Sequence, residues 1–193
     1  MLKYTIQNYS YNLLKSDEWK DYLFNTWLCG IVTNSDDESF GIPIVVDKDS
    51  AKLPPLPYPH FMCKSTKEVF KEEGLKVCPW IIRCDINDII NLMQEKDEYV
   101  VALYHEIGHF QYSDEQDQNP NDEYRVAQLL KGKVSKEEIQ ADSVAAEALG
   151  NERVIEALKK TLAPVLLNVQ YNQTKEGQLF IKELQLRIKA LEK

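Results

Sequence analysis

The sequence has no apolar segment long enough to cross a bilayer, and it carries few basic residues for its size. Its 193 residues include 23 Lys and Arg against 31 Asp and Glu, which gives a net charge of −8. A membrane-spanning helix needs about 20 apolar residues. An acidic chain also argues against general binding to nucleic acid or to anionic membranes. We therefore expect neither a nucleic-acid partner nor a membrane partner.

Cysteine is scarce, and its spacing does not match a metal-binding or redox motif. The four cysteines are Cys29, Cys63, Cys78 and Cys84, and none forms a CxxC pair. The first 19 residues also lack the apolar run of a signal peptide. Because disulfides are rare in reducing compartments, we predict reduced thiols in a cytoplasmic protein. A zinc site made of these four cysteines is the weaker interpretation.

Histidine is scarcer still, and two of the three histidines share one short motif. His105-Glu106-Ile107-Gly108-His109 reads HExxH. On a helix, residues four apart project from the same face. Two such imidazoles can bind one Zn²⁺ ion while the glutamate between them acts as a general base. The third histidine, His60, lies between Pro59 and Phe61, and we interpret it as a structural residue.

A catalytic zinc needs a third protein ligand, and no histidine follows His109. The best candidate is Glu138, which begins the sequence ExxAD that ends at Asp142. Glu138 and Asp142 lie four residues apart and share one helix face. We predict that Glu138 binds the metal. Asp142 is predicted to accept a hydrogen bond from the outer nitrogen of a ligand histidine. In a competing interpretation, Ser135 and Glu138 form a capping box, with Glu138 reaching back to the Ser135 backbone.

This combination resembles the gluzincin metallopeptidases, in which a glutamate on the following helix completes HExxH. The run from Glu138 to Gly150 looks like that of the small ImmA/IrrE-type peptidases, and the resemblance covers about residues 97–162. It implies a zincin-like core with a small β-sheet packed on the HExxH helix, a Zn²⁺ cofactor and a protein or peptide substrate. Glu106 would be the general base. The sequence identifies no regulatory partner.

Two other functions remain open from the sequence. One is a zincin-fold regulatory or binding protein that has lost turnover, and the other is a metal-free helical interaction protein. The residue that would stabilise the oxyanion of a hydrolysis reaction is also open. The candidates are Tyr104, Tyr112, Tyr124 and His60.

The expected fold class is α+β and mostly helical, with residues 1–193 in a single domain. Within it, residues 65–162 would form the zincin core and residues 165–193 would include a C-terminal helix, while residues 1–50 could form an N-terminal arm. The predicted helices cover residues 16–28, 65–74, 86–93, 98–112, 123–130, 135–149, 151–162 and 175–191. Strands are predicted at residues 41–46, at a sheet edge because of Pro43, and at residues 78–84. The resemblance to zincins further implies that the stretch from Trp80 to Arg83 binds substrate as an edge strand.

Overall fold

The structure, a computed structural model, describes residues 8–22, 25–52, 56, 58–65, 80–112 and 122–193. The strands described are β1 (Tyr9–Leu13), β2 (Lys20–Tyr22), β3 (Thr26–Asn34), β4 (Asp37–Asp47), β5 (Met62–Ser65) and β6 (Trp80–Cys84). The helices described are α1 (Ile86–Met93), α2 (Asp97–Tyr112), α3 (Asp122–Leu130), α4 (Lys136–Leu149), α5 (Asn151–Leu167), α6 (Val169–Asn172) and α7 (Lys175–Leu191). The predicted α+β class is confirmed.

The six strands form one mixed sheet in the order β1-β3-β4-β6-β5, with β2 also paired to β3. The pairs β1–β3, β3–β4 and β5–β6 are antiparallel, whereas β4 and β6 are parallel. The sheet is larger than the small sheet expected, because it includes N-terminal residues for which a helix was predicted.

The helix predicted over residues 16–28 is wrong. A short 3-10 helix covers Ser16–Glu18, and the chain then enters β2 and β3. β3 is rich in β-branched and aromatic residues, which suit strands, and it pairs with both β1 and β4. Gly30 lies inside β3. A Cβ atom there would lie 2.8 Å from the Asn12 carbonyl oxygen, so the glycine permits close approach of β1.

Both predicted strands exist, but neither lies at a sheet edge. β4 extends beyond residues 41–46 and pairs with β3 on one side and β6 on the other. Pro43 is tolerated because the pairing of β4 with β6 begins one residue later, at Ile44. β6 lies between β4 and β5, so the prediction that Trp80 to Arg83 binds substrate as an edge strand is also wrong.

The helical half of the chain follows its sequence signals closely. Helices α1, α2, α3, α4 and α7 match their predicted ranges to within one or two residues. α5 differs, because it continues through Pro164 to Leu167 and buries Val165 completely. The helix predicted over residues 65–74 lies outside the described residues beyond Ser65, which belongs to β5. None of the described helices combines the length and apolar character needed to span a bilayer.

Two compact units make up the chain, one comprising Met1–Leu56 with His60–Tyr99 and the other Pro57–Pro59 with Val100–Lys193. The core of the first unit is centred on the fully buried Ile42, Ile44, Val46 and Ile82. The second has a core drawn from α2, α4, α5 and α7, with Val101, Ala145, Val154, Ile155, Ala157, Leu158, Leu184 and Ile188. The HExxH and ExxAD motifs both belong to this second unit.

Candidate metal centre

The two motif histidines project from α2 toward one point. Ile107, between them in sequence, is fully buried and Leu103 is also inaccessible to solvent, so core packing sets the rotation of the helix. The Nε2 atoms of His105 and His109 are 3.1 Å apart. His105 is buried, with 6% of its surface exposed, whereas 28% of the His109 side chain is exposed.

α4 brings Glu138 to the same point. Ser135 is the N-cap of α4 and accepts a hydrogen bond from the Glu138 backbone N–H. The Glu138 carboxylate lies against the imidazoles, with Oε2 3.1 Å from His105 Nε2 and Oε1 3.7 Å from His109 Nε2. Ser135 therefore caps the helix as the capping-box interpretation predicted, while the Glu138 carboxylate lies beside the two histidines.

Close approach of α2 and α4 depends on Gly108. A Cβ atom on this glycine would lie 2.7 Å from the Ala141 Cα and 2.9 Å from the Ala141 carbonyl oxygen. Both of these are backbone atoms, which cannot move aside as a flexible side chain can. Glycine here, opposite the small Ala141, lets the two helices come close enough for their polar side chains to meet.

The three side chains could hold a metal ion, because each offers one ligand atom and these atoms lie within 4.8 Å of one another. The two imidazole Nε2 atoms are 3.1 Å apart, and the nearest glutamate oxygens, which differ for the two rings, are 3.1 and 3.7 Å away. Glu138 Oε2 is buried and accepts no hydrogen bond of good geometry within the described part of the chain. Two histidines with one glutamate are also a known ligand set of catalytic zinc. Among the described residues this is the one such group of metal-binding side chains.

Asp142 lies beside the outer nitrogen of the His105 ring. Its Oδ1 atom is 2.9 Å from His105 Nδ1, and a carboxylate can only accept a hydrogen bond, so it favours a proton on Nδ1. Arg187 Nη2, itself a donor, is 3.0 Å from the same Nδ1 atom, and Nε2 lies toward Glu138 and His109. This is the arrangement in which a carboxylate orients a metal-binding histidine.

Arg187 of α7, which the sequence analysis did not identify, holds Asp142 in turn. Its Nε and Nη2 atoms donate to the two Asp142 carboxylate oxygens at 2.8 and 2.5 Å. Its Nη1 atom is 3.5 Å from Glu138 Oε2. Arg187 is buried beside Leu184 and Ile188, which belong to the core of the second unit. The C-terminal helix thus contributes directly to the polar centre.

A second arginine, also missed, approaches Glu138 from α3. Arg125 donates through Nε and Nη2 to both carboxylate oxygens of Glu183, at 3.0 and 2.7 Å. Its Nη1 atom lies 3.6 Å from Glu138 Oε1. For Glu183 and Arg187 the sequence offered one signal, because they lie four residues apart on a helix. Such spacing ordinarily indicates an exposed ion pair.

The two imidazoles differ in basicity. Burial and the Arg187 charge oppose protonation of His105, but Asp142 and Glu138 outweigh them and raise its pKa to about 9. Burial and the neighbouring His105 charge lower the pKa of His109 to about 4. Burial tends to raise the pKa of Glu138, but the His105 charge opposes this effect. Together with the two arginines, it holds the pKa of Glu138 well below its usual range. A divalent cation at Nε2 would take the place of the His105 proton.

The other predicted residues are placed as follows. Glu106 is half-buried on α2. Tyr104 packs against the core cluster of the second unit, Tyr124 is 49% exposed, and His60 belongs to the first unit, 3.8 Å from Asp85. The Tyr112 side chain lies outside the described residues.

The cysteines take no part in this centre. Cys29 and Cys84 are buried and are not joined in a disulfide, and the described residues contain no metal-binding group that includes a cysteine. Cys78 lies outside the described part of the chain.

No protein-family model, curated protein or solved structure matches this chain.

Proposed function

We propose that the protein is a zinc-dependent peptidase with a zincin-like core, as its resemblance to the gluzincins and to ImmA/IrrE-type peptidases implies. The observation that carries the proposal is the group formed by His105, His109 and Glu138, each of which offers one ligand atom within 4.8 Å of the others. A cytoplasmic location belongs to this proposal, and the absence of a disulfide at the buried Cys29 and Cys84 is in keeping with a reducing compartment.

Each residue of the centre has a distinct role in the proposed reaction. His105, His109 and Glu138 would hold the ion, which when bound would supply Lewis-acid chemistry at the substrate carbonyl and at the attacking water. Glu106 accepts a proton from that water and delivers it to the leaving amine. Asp142 keeps the Nδ1 proton on His105 and so keeps Nε2 available, while Arg187 keeps Asp142 ionised and oriented.

The proposal is tested by metal content and cleavage measured on the same preparations. Purified wild-type protein should contain zinc, and Glu138→Ala should contain far less because one of three ligands is gone. Wild-type protein should cleave members of a peptide library, and a chelator should stop the cleavage. Glu106→Gln should retain zinc and lose roughly 10²- to 10⁴-fold in rate, as expected on loss of a general base.

A metal-free function is the second candidate, and the arginines favour it. Arg187 and Arg125 lie 3.5 and 3.6 Å from the Glu138 carboxylate, so the charge of that carboxylate is already compensated without an ion. In this case the centre would be a buried ion-pair network of a binding or regulatory protein. Wild-type protein that takes up no zinc from a buffered solution would refute the zinc peptidase and leave the metal-free function as the remaining candidate. Zinc uptake without cleavage of any library peptide would indicate a zincin-fold binding protein.

A further inference from the structure

The side chains of the candidate metal centre differ in their exposure to solvent. The difference indicates the side from which a ligand arrives. The side chains of His105 and Glu138 are each 8% exposed, whereas that of His109 is 28% exposed. On the buried side, Arg187 is 10% exposed and two of its nitrogens are bound to Asp142. A substrate therefore reaches the centre from the His109 side.

Arg125 is the arginine on that accessible side. Its side chain is 40% exposed. Its Nη1 atom is 3.6 Å from Glu138 Oε1, the same oxygen that lies 3.7 Å from His109 Nε2. The Arg125 guanidinium is therefore close to the more exposed ligand pair and remains accessible to solvent.

Arg125 is also held in place before any ligand binds. Its Nε and Nη2 atoms are both bound to Glu183, whose side chain is only 4% exposed. Two parallel hydrogen bonds from a planar guanidinium to a carboxylate define its orientation. Nη1 donates no hydrogen bond within the described part of the chain and has Glu138 as its nearest anionic neighbour. A donor fixed in this way can bind a developing negative charge without reorganising.

We propose that Arg125 is a catalytic residue that binds the substrate carbonyl oxygen as it becomes an oxyanion, an inference that rests on the proposed peptidase function. The water oxygen forms a bond to the carbonyl carbon, and the π electron pair moves onto the carbonyl oxygen. Arg125 Nη1 donates a hydrogen bond to that oxygen. When the carbonyl re-forms, the C–N bond breaks and the amine leaves with the proton that Glu106 had taken from the water.

This assignment adds Arg125 to the candidates that the sequence left open for the same role. Among those candidates, Tyr104 packs against the hydrophobic core, and Tyr124 is 49% exposed. Arg125 carries a full positive charge and is positioned by a buried carboxylate. A charged donor forms stronger hydrogen bonds to an oxyanion than a neutral hydroxyl does.

The test uses methylphosphonate, a tetrahedral anion that resembles the tetrahedral intermediate, and zinc-loaded protein. Its affinity is measured by calorimetry for wild-type protein, Arg125→Gln and Lys189→Gln. The last variant removes one positive charge from an exposed position on α7 and controls for net charge. Arg125→Gln should weaken methylphosphonate binding by roughly 10- to 100-fold, with zinc content unchanged, whereas Lys189→Gln should bind as wild type does.

Two further variants keep the inference open to refutation if Arg125→Gln does not fold. Arg125→Lys retains the charge but loses the two-point attachment, and Glu183→Gln weakens that attachment while keeping the arginine. Both should show affinities between those of wild type and Arg125→Gln. On a cleaved library peptide, Arg125→Gln should lower kcat more than it raises KM.

The outcomes separate this inference from the function on which it rests. Zinc-loaded Arg125→Gln that binds methylphosphonate as tightly as wild type would overturn the role of Arg125 and leave the peptidase proposal intact. Loss of zinc in parallel with loss of methylphosphonate binding would also overturn it, because Arg125 would then act on the fold of the centre. Wild-type protein that takes up no zinc would refute the peptidase function itself.

Discussion

Four polar side chains of the second unit, Glu138, His109, Asp142 and Arg187, converge on the His105 imidazole. Asp142 is bound to its Nδ1 atom, and Glu138 and His109 both lie 3.1 Å from its Nε2 atom. The Asp142 carboxylate thus orients the ring through its Nδ1 atom. The Nε2 atom on the other side of the ring is directed toward the proposed metal position. Disturbing Asp142 should therefore alter metal affinity without removing a ligand.

Asp142→Ala is expected to weaken zinc binding by roughly 10- to 100-fold, because the partner that orients His105 is lost. Competition with a chromophoric chelator measures the affinity directly. Glu147→Ala, which removes an exposed carboxylate from the same helix, is the matched control and should leave the affinity unchanged. Equal affinities in wild type and Asp142→Ala would show that Asp142 does not support the metal site.

Arg187→Met is expected to lower the free energy of unfolding by about 3–5 kcal/mol, because it leaves the buried Asp142 carboxylate without its cation. Urea denaturation followed by circular dichroism measures the loss. The double variant Asp142→Asn/Arg187→Met removes both charges and should recover a large part of the stability. Additive losses in the double variant would contradict a direct interaction between the two side chains.

At the scale of elements, the contact between α2 and α4 determines whether the centre can form. Gly108 and Ala141 lie at this contact, where a single methyl group on Gly108 would meet backbone atoms at 2.7 and 2.9 Å. Glycine lowers the intrinsic stability of a helix by roughly 1 kcal/mol relative to alanine. Its presence in α2 is explained by the space that the neighbouring helix requires.

Gly108→Ala should destabilise the protein by about 1–3 kcal/mol despite the better helix propensity of alanine, since the two helices must separate. The separation should also reduce zinc affinity, because Glu138 moves away from the imidazoles. Thermal unfolding and zinc titration measure the two effects. Ser143→Ala, on the exposed side of α4, is the control; a Gly108→Ala protein as stable as wild type would show that the contact is looser than the structure indicates.

A different element, α1, contains a buried carboxylate that makes stability depend on pH. Asp88 is 3% exposed, and its oxygens accept hydrogen bonds from the backbone N–H groups of Asp85 and His60. Burial is the main influence on this group and raises its pKa from 3.8 to about 6. Between these two pH values the folded protein retains a proton that the unfolded chain has lost, so the contribution of Asp88 to stability falls as pH rises.

The change in pKa of Asp88 corresponds to about 2.4 kcal/mol between pH 4 and pH 7. Asp88→Asn cannot titrate, so its stability relative to wild type should increase over this pH range by about that amount. Urea denaturation of both proteins at several pH values measures the difference, and comparison of the two cancels the other titrating groups. A difference that stays constant with pH would show that Asp88 has an ordinary pKa.

At the scale of the whole molecule, the proposed ligands come from two helices, and the residues that support them come from two more. α2 supplies His105 and His109, α4 supplies Glu138 and Asp142, α3 supplies Arg125, and α7 supplies Glu183 and Arg187. An ion that binds only when these helices are assembled must stabilise the folded state by mass action.

Zinc at a free concentration 100 times its dissociation constant should therefore stabilise the protein by about 2.7 kcal/mol. The increase is measured as a higher midpoint in thermal unfolding when zinc is compared with chelator. Glu138→Ala should show little or no increase. Equal midpoints for wild-type protein with and without zinc would argue against a metal bound within the folded second unit.

Sequence reasoning succeeded where the structure is built from local periodicity, and it failed where strand pairing decided the outcome. α2 and α4 were recognisable because apolar spacing and an N-cap at Ser135 are local signals. The stretch over residues 16–28 contains aromatic residues at helical spacing, yet its last part is β3, which pairs with strands on both sides. Such pairing depends on residues distant in the chain, and a local pattern contains no information about it.

The same distinction holds for the candidate centre. Local helical geometry by itself determined that His105 faces the same way as His109, and that Glu138 faces the same way as Asp142. Tertiary structure alone decided that the two pairs meet, that Arg187 reaches an aspartate 45 residues earlier, and that Arg125 reaches a glutamate 58 residues later. The physical reason is that side chains within one helix are related by a fixed repeat, whereas ion pairs between helices depend on how the helices pack.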